Sequence, residues 1–276
     1  MSIRFAINRT CAPQLRLDEF IGLATAVGVH AVEIRNDVEG REFADGTPAR
    51  ELKSRLDDAG LVVASVNALQ RFNEWTDERE REARHLAAYA ADLGAPGLVL
   101  CPVHNDEHGW TAADSERNLR EGLRRLRPIL LEHGVTGYVE PLGMKASTMK
   151  RQDMAVAAIT DVGGWDAYKL CYDTFQYFRC SDTALFPEHI GLAHMSGISR
   201  RDLEPGEMLE PERGLIFVDD RVGNVAQLSA LVRMGYDGFV SMEPFNPAVQ
   251  NDPDLTAHLR ASLEYVAALV VPEAGV

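Results

Sequence analysis

Lys169-Leu170-Cys171-Tyr172-Asp173-Thr174 reads as a short buried strand that ends in a metal-binding side chain. Three other segments have the same form: Gly137-Tyr138-Val139-Glu140-Pro141, Ile190-Gly191-Leu192-Ala193-His194 and Gly238-Phe239-Val240-Ser241-Met242-Glu243-Pro244. Each is an apolar run whose Glu, Asp or His falls at the carboxyl end, just before turn residues. A barrel of parallel strands gathers such ends at one mouth, where catalytic groups converge. Glu140, Asp173, His194 and Glu243 then supply three carboxylates and one imidazole, a donor set suited to one divalent ion: Mn²⁺, Co²⁺, Mg²⁺ or Zn²⁺. Taken singly, each is weak, because a carboxylate after a strand is often a helix cap and a lone histidine is more often packed than ligating. Their joint placement carries the argument.

Outward from these four, the chain offers eight apolar strand candidates, beginning near Ile3, Ala31, Leu61, Gly97, Thr136, Tyr168, His189 and Gly238. Amphipathic segments separate the early ones: Leu17 to Val27, Pro48 to Ala59, Asp77 to Leu93 and Thr111 to Glu132. Thr111-Ala112-Ala113-Asp114 resembles a capping box, and Thr76-Asp77-Glu78-Arg79 puts acids in a first turn. Gly60, Gly94 and Gly134 fall where helices should stop, and Pro128 is expected to kink the fourth helix. This alternation predicts an α/β fold, one (β/α)₈ TIM barrel over residues 1–276. An open doubly wound sheet is the competitor, but Asn8-Arg9-Thr10-Cys11-Ala12-Pro13 lacks a glycine fingerprint for a dinucleotide. The stretch from Ser196 to Val222, with Pro205, Gly206, Pro211 and Gly214, has no clear period and is expected to be a mouth loop or lid.

Composition narrows the class. The chain has 276 residues, 46% of them hydrophobic and 25% charged, ordinary values for a globular protein. A net charge of −14 disfavours nucleic acid, whose binders neutralise phosphates with Lys and Arg. Arg117, Arg120, Arg124, Arg125 and Arg127 alternate with leucines at helical spacing and read as a solvated helix face. No apolar run is long enough to span a membrane, and the N-terminus reads as a first strand without a signal-peptide core. Cys11, Cys101, Cys171 and Cys180 show no CxxC spacing, so reduced thiols and a cytoplasmic location are expected.

The sequence resembles the xylose isomerase-like barrel superfamily of sugar isomerases and epimerases over nearly its whole length. The resemblance implies a Glu-Asp-His-Glu metal shell, matched in order by Glu140, Asp173, His194 and Glu243. The nearest likeness is to 2-keto-myo-inositol isomerases and related inositol-catabolic proteins. It rests on Val32-Glu33-Ile34-Arg35-Asn36-Asp37, on Asn67-Ala68-Leu69-Gln70-Arg71-Phe72-Asn73-Glu74-Trp75, on Tyr172-Asp173-Thr174-Phe175 and on Glu243-Pro244-Phe245. Related ketose epimerases place an arginine at the position of Arg200, where it helps to hold substrate. Many relatives have a histidine where this chain has Gln176, which can bond hydroxyls but cannot titrate.

The implied chemistry is isomerisation of a keto-polyol through an enediolate, with Glu140 and Glu243 removing and returning protons while Asp173 and His194 mainly hold the metal. Trp75 is a candidate for stacking on a ring, with Phe72, Phe175, Tyr177 and Phe245 as lesser ones, and Glu33 for bonding substrate or Arg35. His104-Asn105-Asp106-Glu107-His108 reads as a solvated turn rather than a second metal site. The rivals are a dehydratase of an inosose or of 3-dehydroshikimate, a ketose 3-epimerase, cleavage of abasic DNA and a non-catalytic sugar-binding subunit. Barrels of this class often form homo-oligomers, but no exposed apolar stripe marks an interface.

Overall fold

Strand and helix alternate because short apolar runs, closed by turn residues, are followed by segments with one apolar stripe. The computed structural model describes residues 3–270. The strands are β1 Arg4–Asn8, β2 Ala31–Arg35, β3 Val62–Leu69, β4 Gly97–Leu100, β5 Thr136–Val139, β6 Tyr168–Asp173, β7 Ile190–Met195 and β8 Phe239–Met242. They pair in parallel and in sequence order, and β1 also pairs with β8, so the barrel closes. The longer helices on its outside are α1 Leu17–Val27, α2 Ala49–Asp58, α3 Asp77–Leu93, α4 Ala112–His133 and α5 Gln152–Asp161, then α7 Asn224–Arg233 and α9 Leu255–Leu269. The short α6 Thr174–Arg179 and α8 Pro247–Gln250 sit at the mouth end of their strands.

The helix boundaries follow their markers. Thr111 and Asp114 form a reciprocal capping box at the start of α4, and Thr76 accepts from the Arg79 amide at the start of α3. Gly94 and Gly134 close α3 and α4 in the left-handed conformation. Pro128 does not end α4, which runs on to His133. The ring removes one backbone donor, while Leu119, Leu123, Leu126, Ile129 and Leu130 stay buried along the same face.

Strand periodicity sorts the barrel interior by height. Ala6, Ala31, Ala64, Val99, Tyr138, Cys171 and Leu192 form an inner apolar cluster. Two residues further along several of these strands stand Asn8, Glu33, Cys101, Glu140, Asp173 and His194, all buried. Register keeps this second tier level, with Asn8 opposite Glu33 and Asp173 opposite His194. Tyr138 is the one large side chain in the cluster, and Gly97 and Gly191 leave room for its ring.

The segment from Ser196 to Val222 packs over the mouth. It contains short 3₁₀ turns at Pro205–Glu207 and Glu210–Glu212, an antiparallel bridge between Gly197 and Gly214, and the buried Ile198, Met208 and Val222 packed on Phe175. A Cβ added at Gly97 would lie 2.1 Å from the Tyr138 ring. Gly97→Ala is therefore expected to destabilise the fold by about 1–3 kcal/mol, read from urea unfolding, and Tyr138→Leu in the same chain should recover part of the loss.

Candidate metal centre

Four strand ends bring their acids and imidazole to one point. Asp173 and His194 lie on adjacent strands, while Glu140 and Glu243 follow the last residues of β5 and β8. The Nδ1 of His194 lies 3.1 Å from Oε1 of Glu140 and 3.2 Å from Oε2 of Glu243. One donor atom from each of Glu140, Asp173, His194 and Glu243 falls within 4.8 Å of the other three, and all four side chains are buried. Such a set of three carboxylates and one imidazole fits a divalent ion.

Charge balance is supplied by arginines. Asp173 divides its oxygens: Oδ1 accepts from the Phe175 and Gln176 amides at the start of α6, and Oδ2 accepts from Nη2 of Arg213 at 2.7 Å. The same nitrogen donates to Oε2 of Glu243 at 2.9 Å, while Nη1 reaches Glu210 and Nε reaches Oγ of Ser196. Arg35 donates to Oε1 of Glu243 at 3.1 Å and binds Asp37 with two nitrogens. Phe245 lies under both cations, 4.9 Å from Arg213 and 5.5 Å from Arg35.

Burial pushes the Asp173 carboxyl up to about 7, against the pull of Arg213, with Glu140 and Glu243 adding to the rise. Glu243 goes the other way: burial opposes its ionisation, but His194, Arg213 and Arg35 hold it below the usual carboxylate range. Burial also opposes a charged His194, yet Cys171, Glu243 and Glu33 carry its proton affinity well above the ordinary value. The Cys101 thiol donates to Oε2 of Glu140 at 3.4 Å, and burial keeps both Cys101 and Cys171 protonated.

The sequence matches the xylose isomerase-like TIM barrel family over residues 21–268. The chain belongs to that family. A xylose isomerase domain-containing protein of Salmonella typhimurium LT2 superposes with a TM-score of 0.87 at 26% identity, covering 96% of this chain and 99% of that one. The IOLI protein, solved with a bound zinc atom, gives 0.85 at 19% identity over 97% and 99% of the two chains. D-Psicose 3-epimerase from Clostridium cellulolyticum H10, solved with D-tagatose, gives 0.74 at 17% identity over 97% and 99%. By sequence, no curated protein matches the chain.

Within this family barrel, the sequence-derived site residues divide into two groups. Glu140, Glu243 and Gln176 face a mouth cavity of about 160 Å³, with Asp173 and His194 beside it. Gln176 accepts from the Gly143 amide and donates to Glu210. Glu33 lies behind the His194 ring, fully buried and bonded by Asn8, Ser65, Asn67 and His194 rather than by Arg35, which pairs with Asp37 and Glu243.

Arg200 and Trp75 stand outside the cavity. Arg200 is 51% exposed and holds Asp202 and Glu212 on the surface of the mouth segment. Trp75 packs against the outer core with Arg125 over its ring. Arg213 and Glu210, which the sequence did not single out, line the cavity, as do Asn67 and Gln70 of the resemblance motif and His104, expected in a solvated turn. Arg213 sits in a segment without strand or helix period, so local pattern gave no signal for it.

Among the described residues, Arg213 is the one Lys or Arg whose side chain pairs directly with Asp173. Arg213→Met should therefore cost about 3 kcal/mol in urea unfolding, the scale for breaking one side of a buried pair. Arg200→Met should leave the midpoint where it is.

Proposed function

We propose that the chain is a divalent-metal-dependent isomerase of a small keto-polyol, a cyclitol of the 2-keto-myo-inositol type or a ketose. The observation that carries this reading is the convergence of Glu140, Asp173, His194 and Glu243, each from a different strand end, within 4.8 Å. The cavity beside them, about 160 Å³ and lined by polar groups including Gln70, His104 and Gln176, suits a polyhydroxy molecule rather than a polymer. The net charge of −14 supports a partner other than nucleic acid. Among the described residues, no helix is long and apolar enough to cross a membrane.

Bound here, Mn²⁺, Co²⁺, Mg²⁺ or Zn²⁺ would act as a Lewis acid toward a developing oxyanion. The protein's own part is proton transfer. One of Glu140 and Glu243 takes the proton from the carbon beside the substrate carbonyl, and that C–H electron pair moves into the carbonyl to give the enediolate. The other returns a proton to the former carbonyl carbon, while the hydroxyl proton on the deprotonated carbon passes to the former carbonyl oxygen, so that the carbonyl moves by one position. Each carboxylate has an oxygen within 3.2 Å of His194 and a second oxygen held by other groups, so its orientation is fixed before substrate arrives. Asp173 and His194 hold the ion, and Gln176 and Arg213 contact hydroxyl or carbonyl oxygens.

Proton NMR of Mn²⁺-loaded protein with 2-keto-myo-inositol in D₂O tests the reading. The expected result is deuterium exchange beside the carbonyl and a new keto-inositol, both lost on adding EDTA. Glu140→Gln and Glu243→Gln should each slow exchange by roughly 10²- to 10⁴-fold. Unchanged exchange in both variants with metal bound would refute the proton roles. A dehydrated product would reassign the reaction to a lyase.

A further inference from the structure

Within the same tier as the proposed metal shell lies a polar cluster that the proton chemistry does not use. Its centre is Glu33 on β2, which is 0% exposed. It lies on the far side of the His194 ring from the other acids: Nε2 of His194 is 3.1 Å from Oε2 of Glu33, whereas Nδ1 faces Glu140 and Glu243. Among the described residues, no Lys or Arg pairs with Glu33, and His194 is its one ionisable partner of opposite sign. A buried carboxylate with so few cations is costly unless its oxygens are filled by donors.

Those donors are present and fixed. Oε2 accepts from Oγ of Ser65 and from Nδ2 of Asn67 at 2.9 Å. Oε1 accepts from Nδ2 of Asn8 at 3.2 Å. The orientation of the Asn8 amide is set in turn, because its Oδ1 accepts from the Thr10 amide at 3.0 Å. The same Nδ2 lies 3.2 Å from Oε1 of Glu243, so one amide joins Glu33 to the metal shell.

The geometry points to Glu33 as the positioning residue for His194: its carboxylate accepts the proton on Nε2 and so leaves the lone pair of Nδ1 facing Glu140, Asp173 and Glu243. A neutral imidazole offers one donor and one acceptor nitrogen, and the hydrogen bond made by one nitrogen decides which form is present. Outer partners of this kind orient the ring and raise its basicity as a ligand, and their loss typically lowers metal affinity by roughly 10- to 100-fold. Ser65, Asn67 and Asn8 act one step further out, by holding the carboxylate in line with the ring. The inference rests on the metal-dependent reading above.

Co²⁺ titration followed by visible absorption and calorimetry tests it, together with long-range ¹H–¹⁵N NMR of histidine-labelled protein. In the wild type, Co²⁺ should bind with a d–d spectrum typical of mixed oxygen and nitrogen ligands, and His194 should show the Nε2–H form once the metal is bound. Glu33→Gln, which preserves shape, should weaken Co²⁺ binding by roughly 10- to 100-fold and move the d–d bands. Ser65→Ala leaves both carboxylates in place and should give a smaller change in the same direction, so it decides the matter if Glu33→Gln does not fold. Wild-type affinity and spectra in the folded variants would overturn the role of Glu33 while leaving the metal site intact. A wild-type protein that binds no Co²⁺, with its His194 signals unmoved, would instead bring down the metal reading itself.

Discussion

Four carboxylates share one small volume inside the barrel, and the arrangement of the mouth follows from keeping them there. Glu33, Glu140, Asp173 and Glu243 are each no more than 5% exposed. Two unit charges about 4 Å apart interact by about 4 kcal/mol at an effective dielectric near 20, so the group must be balanced or protonated. His194 stands among them, Arg213 bridges Asp173 and Glu243, and Arg35 reaches Glu243 from β2. The start of α6 takes one Asp173 oxygen through two backbone amides. Asp173 still retains affinity for a proton near neutrality, because burial outweighs the one arginine that it touches. A donor set held at this charge density is suited to a multivalent cation in a way that scattered surface acids are not.

Much of this was readable in the chain, for a specific reason. The four strands that carry the shell end within one residue of their functional side chain, so a local pattern of apolar residues and a terminal carboxylate or histidine marked the fold and the candidate site together. What was not readable depends on contacts between distant residues. Glu33 meets His194 across 161 positions, and its neighbours in sequence suggested a bond to Arg35, which Asp37 and Glu243 hold instead. Arg200 and Arg213 occupy one aperiodic segment, and only the path of that segment, pinned by the Gly197–Gly214 bridge, decides which of them faces inward. Trp75 was misplaced for a similar reason, since a loop after a strand can turn toward the mouth or back onto α4.

The two tiers inside the barrel divide its tasks. The lower tier, with Ala6, Ala31, Ala64, Val99, Tyr138, Cys171 and Leu192, closes the centre by apolar packing. The upper tier is almost wholly polar, and its hydrogen bonds run from Asn8 and Glu33 through His194 to Glu140 and Glu243. A single-residue slip in any contributing strand would exchange these inward residues for the outward Val32, Val139 or Tyr172, which ties the site's integrity to strand register.

The pairing of β1 with β8 bears on how the protein comes to be made. On a ribosome, Asn8, Glu33 and Arg35 emerge before His194, Arg213 and Glu243. Until β7 and the mouth segment have emerged, Glu33 lacks His194 and Asp173 lacks Arg213. The polar heart of the barrel is therefore completed only once β8 has emerged to pair with β1.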